Sequence, residues 1–261
     1  MTPTPDLKME EESRIHTRIL RCALEVEESR AWWAHRDPSR SRPPTEQVFA
    51  EWWFGDRSFD RVDLLIQNMS ARYDAFPPAL RVLHAWRGMD RPTAVLVCHW
   101  ALQLSDPLYR RFTGEFLPDR RDASLGNISR DQVTWWVAEA EPGRWSSSTH
   151  VQFASKLLSA AQAAGLVVGV RDPRPLSVPY VGDAALGWLL YLLRDVRISG
   201  TLLDNPYLRS VGLTGPTLDA RLRAVPGLSL RRLGGVGEIE WRHESLWDWA
   251  QQIGALGEVA A

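Results

Sequence analysis

Residues 129–181 have the sequence SRDQVTWWVAEAEPGRWSSSTHVQFASKLLSAAQAAGLVVGVRDPRPLSVPYV, and the order of local signals within them decides the fold. Ser129 is a helix-capping residue, and apolar residues follow it at helical spacing until Pro142-Gly143. The hydroxyl-bearing residues 146–149 can cap a second helix, which is expected to end at Gly165. This stretch therefore predicts two helices joined by a tight turn.

A β-hairpin is predicted immediately after the second helix. Residues 166–170 and 176–181 are rich in β-forming residues, and they enclose a charged turn at residues 171–175. Pro179 lacks a backbone N–H and would confine the returning strand to a sheet edge. Helix, turn, helix and hairpin in this order predict a winged helix-turn-helix, a unit typical of nucleic-acid-binding proteins.

The second helix takes the place of the recognition helix in this prediction. Its spacing indicates one buried stripe, formed by Val151, Ala154, Leu157, Leu158 and Ala161. The opposite face can reach bases and phosphates with Ser148, Thr149, Gln152, Ser155 and Lys156. At the wing tip, Arg171 and Arg174 are candidates for contact with the DNA backbone or a minor groove. Winged units also serve as protein-interaction modules, so that alternative stays open.

The composition indicates a globular protein without disulfides. The 261 residues are 44% hydrophobic, and the two cysteines, Cys22 and Cys98, are expected to be buried thiols in a reducing cytoplasm. The polar start of the chain predicts that no secretory signal is present. The lack of a long apolar run predicts that no segment spans a membrane. The formal net charge is −1, so any binding of DNA must depend on local charge. Of the basic residues only Lys8 and Lys156 are lysines, a bias that a GC-rich genome explains without a functional cause.

The predicted fold class is mainly α: a helical N-terminal bundle followed by winged helix-turn-helix-like units with short β-hairpins. We predict a helical bundle domain over residues 1–125 and a winged-helix-like domain over residues 126–182. Residues 183–261 are predicted to form a C-terminal helix and hairpin domain. The polar run at residues 118–127 is the predicted linker between the first two domains.

Helical spacing also predicts which residues of the bundle face the core. A first helix would bury Ile15, Ile19, Leu20, Ala23 and Leu24. A second helix, capped by Thr45, would bury Val48, Phe49, Trp52 and Trp53. Neighbouring tryptophans such as Trp32-Trp33 are expected to send one indole into the core and to leave the other near the surface.

The C-terminal segment repeats the order of helices and hairpin, which predicts a second, degenerate winged unit. Two β-rich runs, residues 228–233 and 236–241, face each other across Gly234-Gly235. The candidate DNA-binding residues of this segment, expected on one side, are Arg221, Arg223, Arg231 and Arg232. A solvated basic face without a ligand explains the same arginines equally well.

The sequence predicts no enzyme activity, no cofactor and no metal site. It contains no GxxxxGK[ST] loop for nucleotide phosphates, and the glycines near residue 235 precede a strand instead of a helix. The six histidines show no metal-ligand spacing. His99 lies in an apolar helix, where a hydrogen-bonded core histidine is expected in preference to a catalytic base.

The order of features over residues 45–250 resembles the BrxA-like group of accessory proteins from BREX phage-defence islands. The resemblance rests on Arg72 with Phe76-Pro77, Trp145 with Ser148-Thr149, Leu157-Leu158, Gly165-Leu166, the apolar residues 188–193, Leu202-Leu203, and Trp241 with Leu246 and Trp249. It implies a mainly helical cytoplasmic protein that binds double-stranded DNA without catalysis, beside other phage-defence proteins. The acidic N-terminal extension and the scarcity of lysine depart from the pattern.

An interaction scaffold is the alternative function. In that alternative, the winged units and exposed tryptophans dock other defence proteins, and those partners hold the DNA.

Overall fold

Helices form most of the structure, and the mainly α fold class is confirmed. The computed structural model describes residues 9–233 and 236–257, and the side chains of residues 232–236 lie outside that description. The α-helices are α1 (Val26–His35), α2 (Thr45–Ala50), α3 (Phe59–Met69), α4 (Pro77–Ala85), α5 (Arg91–Ser105), α6 (Pro107–Arg111), α7 (Leu117–Asp122), α8 (Arg130–Ala140), α9 (Ser147–Ala163), α10 (Asp183–Leu193), α11 (Pro206–Ser210), α12 (Gly215–Leu222) and α13 (Leu246–Gln252). The strands are β1 (Met9–Glu10), β2 (Asn127–Ile128), β3 (Arg174–Pro175), β4 (Val196–Arg197), β5 (Leu228–Leu233) and β6 (Val236–Trp241). No described helix has both the length and the hydropathy of a membrane span.

α8 and α9, the two helices of the predicted winged unit, begin where the capping residues predict. Ser129 Oγ accepts a hydrogen bond from Gln132 N at 3.3 Å, and Gln132 Oε1 accepts one from Ser129 N at 2.9 Å. This reciprocal capping box satisfies two free N–H groups at the start of α8. Ser146 Oγ accepts from Thr149 N at the start of α9. Gly165 follows the end of α9 with φ +77°, a left-handed conformation that glycine adopts without strain.

The wing is a small sheet that is shorter than predicted. β2 pairs antiparallel with β3, and Val167 forms a bridge with Leu176. The predicted strands at residues 166–170 and 176–181 are therefore wrong: each contributes one bridge residue, and β3 lies within residues 171–175, which were predicted as the turn. Gly169 takes φ +76° and turns the chain out of the first strand, and Pro179 cannot donate to a ladder in the second. β2, α8, α9 and β3 occur in this order along the chain, an order compatible with the predicted winged helix-turn-helix, and that assignment stays a prediction.

The predicted linker at residues 118–127 is wrong in its first half. α6 continues through a π-helical turn (Phe112–Phe116) into α7, and only residues 123–126 form a loop before β2. Pro118 does not end the helical segment; it lies in the first turn of α7, directly after the π-helical turn, where the regular α-helical hydrogen-bond pattern is already interrupted. A Cβ on Gly114 would lie 2.4 Å from Pro206 Cβ, so glycine lets this turn pack directly on α11.

Residues 9–25, which we call the arm, are not the helix that their apolar spacing predicts. The arm is extended apart from a 3-10 turn at Arg18–Leu20, and α1 begins only at Val26. The guanidinium of buried Arg72 donates hydrogen bonds to three successive carbonyl oxygens of the arm, those of Cys22, Ala23 and Leu24. A helix would need these carbonyls for its own N–H groups, so Arg72 selects the extended path.

The arm crosses all three predicted domains. β1 pairs in parallel with β4, and Glu12 N donates to Leu104 O on α5 at 2.8 Å. Further along, the carbonyl of Ile15 accepts a hydrogen bond from Arg144, between α8 and α9. Buried apolar residues of all three segments also form one continuous cluster. The domain boundaries remain a prediction, and the arm joins the segments that they separate.

The burial of four aromatic residues near the start of the bundle differs from the prediction. Trp32 and Trp33 are both buried, contrary to the prediction, because each indole meets aromatic partners on its own side of α1. Phe49 and Trp52 are 41% and 63% exposed, also contrary to prediction. Since α2 ends at Ala50 and Trp52 has φ +55°, helical spacing no longer applies there.

The C-terminal segment has the predicted order of α11, α12 and a hairpin. β5 and β6 are antiparallel, and Leu228 and Ile239 are buried beneath them. β4, which would complete a three-stranded wing, pairs with the arm instead. Gly234-Gly235, the predicted turn, lies outside the described residues.

His99 is a buried, neutral histidine, as the sequence predicts. Ser210 Oγ donates to Tyr207 O, so it accepts the hydrogen bond from His99 Nε2 at 2.9 Å. His99 Nδ1 then accepts from the Tyr109 hydroxyl at 2.8 Å. Burial lowers the pKa of His99 to about 3, with the Arg121 charge as a second cause. Cys22 and Cys98 are free buried thiols, as predicted.

The first prediction concerns Arg72, whose replacement by methionine would leave three arm carbonyls without their donor. We expect the free energy of unfolding to fall by about 3–5 kcal/mol, since each unsatisfied buried acceptor costs roughly 1–3 kcal/mol. Urea unfolding followed by circular dichroism measures the loss. Arg61→Met is the matched control because Arg61, partly exposed, donates to Arg21 O of the same arm and should cost less than about 1 kcal/mol. Equal losses in the two variants would contradict the role of Arg72.

A second prediction follows from the lowered pKa of His99. In the unfolded chain its pKa is about 6.5, so below that pH the unfolded state binds a proton that the folded state excludes. Stability is therefore complete above pH 6.5 and is lost as the pH falls, by up to about 1.4 kcal/mol per pH unit. His99→Gln keeps a donor and an acceptor but does not titrate. Urea unfolding at pH 7, 6 and 5 should show a shallower pH dependence in this variant than in the wild type, and identical slopes would refute the assignment.

Candidate nucleic-acid interface

The orientation of α9 is fixed by its buried side. The buried residues of α9 are Phe153, Ala154, Leu157, Leu158, Ala160 and Ala161. Val151, which was predicted in this stripe, is 41% exposed, and Phe153 fills the inward position against Trp145 with ring centroids 4.3 Å apart. The prediction for Val151 is therefore wrong, and its side chain belongs to the outer face of α9.

The hydroxyl groups at the start of α9 are engaged in capping. Ser146 Oγ lies 2.9 Å from Ser148 Oγ and 3.0 Å from Thr149 Oγ1. One turn later, Ser155 Oγ donates to Val151 O, so this hydroxyl also serves the helix. Each of these hydroxyls can still accept or donate one further hydrogen bond, but its orientation is already restricted by the hydrogen bond that it makes within the helix.

Gln152 and Lys156 are the predicted site residues of α9 that project without a partner. Both are exposed, and neither makes a hydrogen bond or ion pair with any residue in the described ranges. They lie four positions apart, and therefore on the same face of the helix. An amide and an ammonium group on one exposed face can contact base edges and phosphates together.

Carboxylates are absent from the whole sequence around α9. No Asp or Glu occurs in the thirty residues from 142 to 171, although the chain contains 32 acidic residues. This run covers the turn before α9, α9 itself and the first half of the wing, and it carries the cations Arg144, Lys156 and Arg171. This stretch thus adds positive and no negative side-chain charge around α9, even though the net charge of the protein is close to zero.

The two arginines of the wing tip differ in their exposure to solvent. Arg171 is exposed, whereas the Arg174 side chain is 13% exposed and its Nε lies 2.8 Å from Asp172 Oδ1. Asp172 Oδ2 accepts a second hydrogen bond from Arg130 N at 2.8 Å. This backbone donor is the main reason that the pKa of Asp172 lies below its ordinary value, and Arg174 contributes further. Asp172 therefore fastens the wing to the first residue of α8.

Arg130 is an exposed residue that the sequence prediction missed. Its backbone position beside Asp172 places it where α8 meets the wing. Its position directly after the Ser129 cap could have identified it as a candidate. Helix N-termini attract phosphate, and a cation at that position adds to the attraction.

The C-terminal arginines form a weaker candidate than predicted. Arg221 Nη2 donates to Val181 O and lies 2.7 Å from Asp183 Oδ1. Arg231 Nε lies 3.2 Å from Glu240 Oε1 across the hairpin. Arg223 is exposed, and the Arg232 side chain lies outside the described residues. Two of the four charges are thus compensated within the protein, and a role for this patch in binding DNA remains a prediction.

No protein-family model matches the chain, and a search of curated proteins also gave no match. The resemblance to BrxA-like proteins therefore remains a prediction. Among the described residues, no cluster of three or more His, Cys, Asp or Glu side chains is arranged to hold a metal ion.

The third prediction concerns the link between wing and α8. Asp172→Ala removes both acceptors at this link, so amide hydrogen exchange should accelerate at Arg130 and in residues 168–174, while the global stability falls by less than about 1 kcal/mol. Hydrogen exchange followed by mass spectrometry measures this local change. Asp131→Ala is the control, because it removes an exposed carboxylate from the same helix start. Unchanged exchange in the wing of Asp172→Ala would show that the link is not needed.

Proposed function

We propose that this protein is a non-enzymatic binder of duplex DNA, with α9 in the major groove and the wing tip against the adjacent backbone or minor groove. The observation that carries the proposal is the exposed, carboxylate-free face of α9, the second helix of the predicted winged helix-turn-helix. This unit uses its second helix to contact base edges. Gln152 and Lys156 supply one amide and one cation on that face.

Local charge supports the proposal better than net charge does. Residues 142–171 are the longest stretch of the sequence without an acidic residue, and Glu141 and Asp172 lie at its two ends. Both of these carboxylates are paired, with Arg144 and Arg174 respectively. A phosphate backbone approaching α9 would therefore meet little repulsion from this part of the protein.

The C-terminal arginine patch is proposed as a secondary contact. Arg223 and Arg231 are exposed there, whereas Arg221 supports the backbone at Val181. Charge reversal at Arg221 would thus disturb the structure as well as any contact with DNA, so Arg223 is the better position for a test.

The biological setting is proposed on the resemblance alone. A BrxA-like protein would be a cytoplasmic accessory factor of a BREX-type phage-defence system and would act beside other defence proteins. The structure contributes to this setting only the mainly helical fold.

A protein-interaction scaffold is the second candidate function, favoured by one observation. Phe49, Trp52 and Phe59, which we call the aromatic patch, are each at least 41% exposed, and the rings of Phe49 and Phe59 lie 5.5 Å apart. Exposed aromatic clusters of this kind often mark protein contacts. In this function DNA would be held by the partner.

The fourth prediction tests DNA binding directly. Fluorescence anisotropy of the full chain with a labelled duplex, over a salt series, should show binding that weakens as salt increases. Gln152→Ala with Lys156→Ala should weaken binding several-fold and reduce the salt slope by about one, since one phosphate contact is lost.

Arg42→Ala provides the matched control because it removes one exposed cation from a loop of the bundle. It should leave both the affinity and the salt slope unchanged. An equal effect of Arg42→Ala would show that binding is not localised on α9. No binding to duplex at low salt would exclude the proposal and favour the scaffold.

A further inference from the structure

We propose that α9 prefers A·T to G·C base pairs, with Gln152 contacting adenine and Val151 contacting the methyl group of thymine. This inference rests on the proposed binding of duplex DNA and specifies which base pairs the same site selects. Neither residue is needed for the fold, because both side chains lie on the exposed side of α9.

The position of the two residues suits contact with base edges. α9 begins at Ser147, so Val151 and Gln152 lie in its second turn. Recognition helices of helix-turn-helix units approach bases with their N-terminal residues. Lys156 lies in the third turn, one turn further from the helix start, where contact with a phosphate is the better fit.

The chemistry of the two side chains matches adenine and thymine. A glutamine amide can accept from adenine N6 and donate to adenine N7, and no other base presents this pair in the major groove. Thymine is the one DNA base that offers an apolar group there, its 5-methyl. Val151 is 41% exposed between polar neighbours, and contact with a methyl group would remove its apolar surface from water.

The residues that α9 lacks are equally informative. Arginine makes the most frequent specific contact with guanine, and acidic residues accept from cytosine. The chain has 31 basic residues, of which only Lys8 and Lys156 are not arginine, yet no arginine and no acidic residue occurs from Ser147 to Ala163. Hence α9 carries side chains for A·T pairs, and its one side chain that could contact guanine, Lys156, lies in the third turn, where contact with a phosphate is the better fit.

The wing tip adds an independent indication. Arg171 is exposed there, while Asp172 and Arg174 bind each other at 2.8 Å. A narrow minor groove attracts a single projecting arginine, and A-tracts have a narrow minor groove. An A·T-rich site would therefore satisfy both α9 and the wing.

The test uses the full chain and 20-base-pair alternating duplexes in competition anisotropy. We expect alternating A·T duplex to compete about five- to tenfold better than alternating G·C duplex, the size of effect of one good base contact. Replacing thymine by uracil removes only the 5-methyl group, and should weaken binding about two- to fivefold. Replacing adenine by 7-deazaadenine removes only N7, and should weaken it to a similar extent.

Two variants assign each contact to its residue. Val151→Ala should abolish the difference between thymine and uracil but keep the difference between adenine and 7-deazaadenine. Gln152→Ala should abolish the difference between adenine and 7-deazaadenine but keep the difference between thymine and uracil. Both changes place a strong helix former at an exposed helical position, so the fold is expected to persist, and urea unfolding verifies it.

The outcomes separate this inference from the function on which it rests. Salt-dependent binding that ignores base composition, the 5-methyl group and N7 overturns the base preference and leaves duplex binding standing. A preference for A·T duplex that survives both base modifications also overturns it, because the protein would then respond to the shape of DNA alone. Absence of duplex binding overturns the inference together with the proposed function.

Discussion

The buried guanidinium of Arg72 sets the path of the first part of the chain. Its donors bind three successive carbonyl oxygens between Cys22 and Leu24, and this holds the arm extended across the bundle. The extended arm reaches β4 with its first residues and the turn before α9 with the carbonyl of Ile15. The position of the winged unit on the bundle is therefore coupled to one buried cation more than fifty residues away from it in sequence.

Local signals in the sequence were sufficient where a helix terminus depends on its own residues. Ser129, Ser146 and Gly165 mark the ends of α8 and α9 because caps and left-handed glycines act within a few residues. The arm could not be predicted in this way. Its apolar spacing favours a helix, and only the tertiary contact with Arg72 removes the carbonyls that the helix would use. Trp52 is a similar case, because α2 ends before the spacing argument reaches it.

The candidate site shows the same division between local and tertiary causes. The outer face of α9 was largely predictable, since four-residue spacing places Gln152 and Lys156 together. The exposure of Val151 was not predictable. Phe153 takes the inward position through its contact with Trp145, and spacing alone does not decide which of two nearby apolar side chains is buried. The sequence also did not show that Arg171 is exposed while Arg174 is paired, because this difference depends on the direction in which the Asp172 carboxylate points.

The arm also has a consequence for the order in which the protein assembles. Glu11 Oε1 binds Ser199, a partner that is synthesised 188 residues later. Contacts of such long sequence separation close late, because the entropy of a large loop must be overcome before they form. The first residues of the arm can therefore be fixed on the protein only after nearly the whole chain has been made, whereas residues 22–24 can meet Arg72 about fifty residues after their own synthesis.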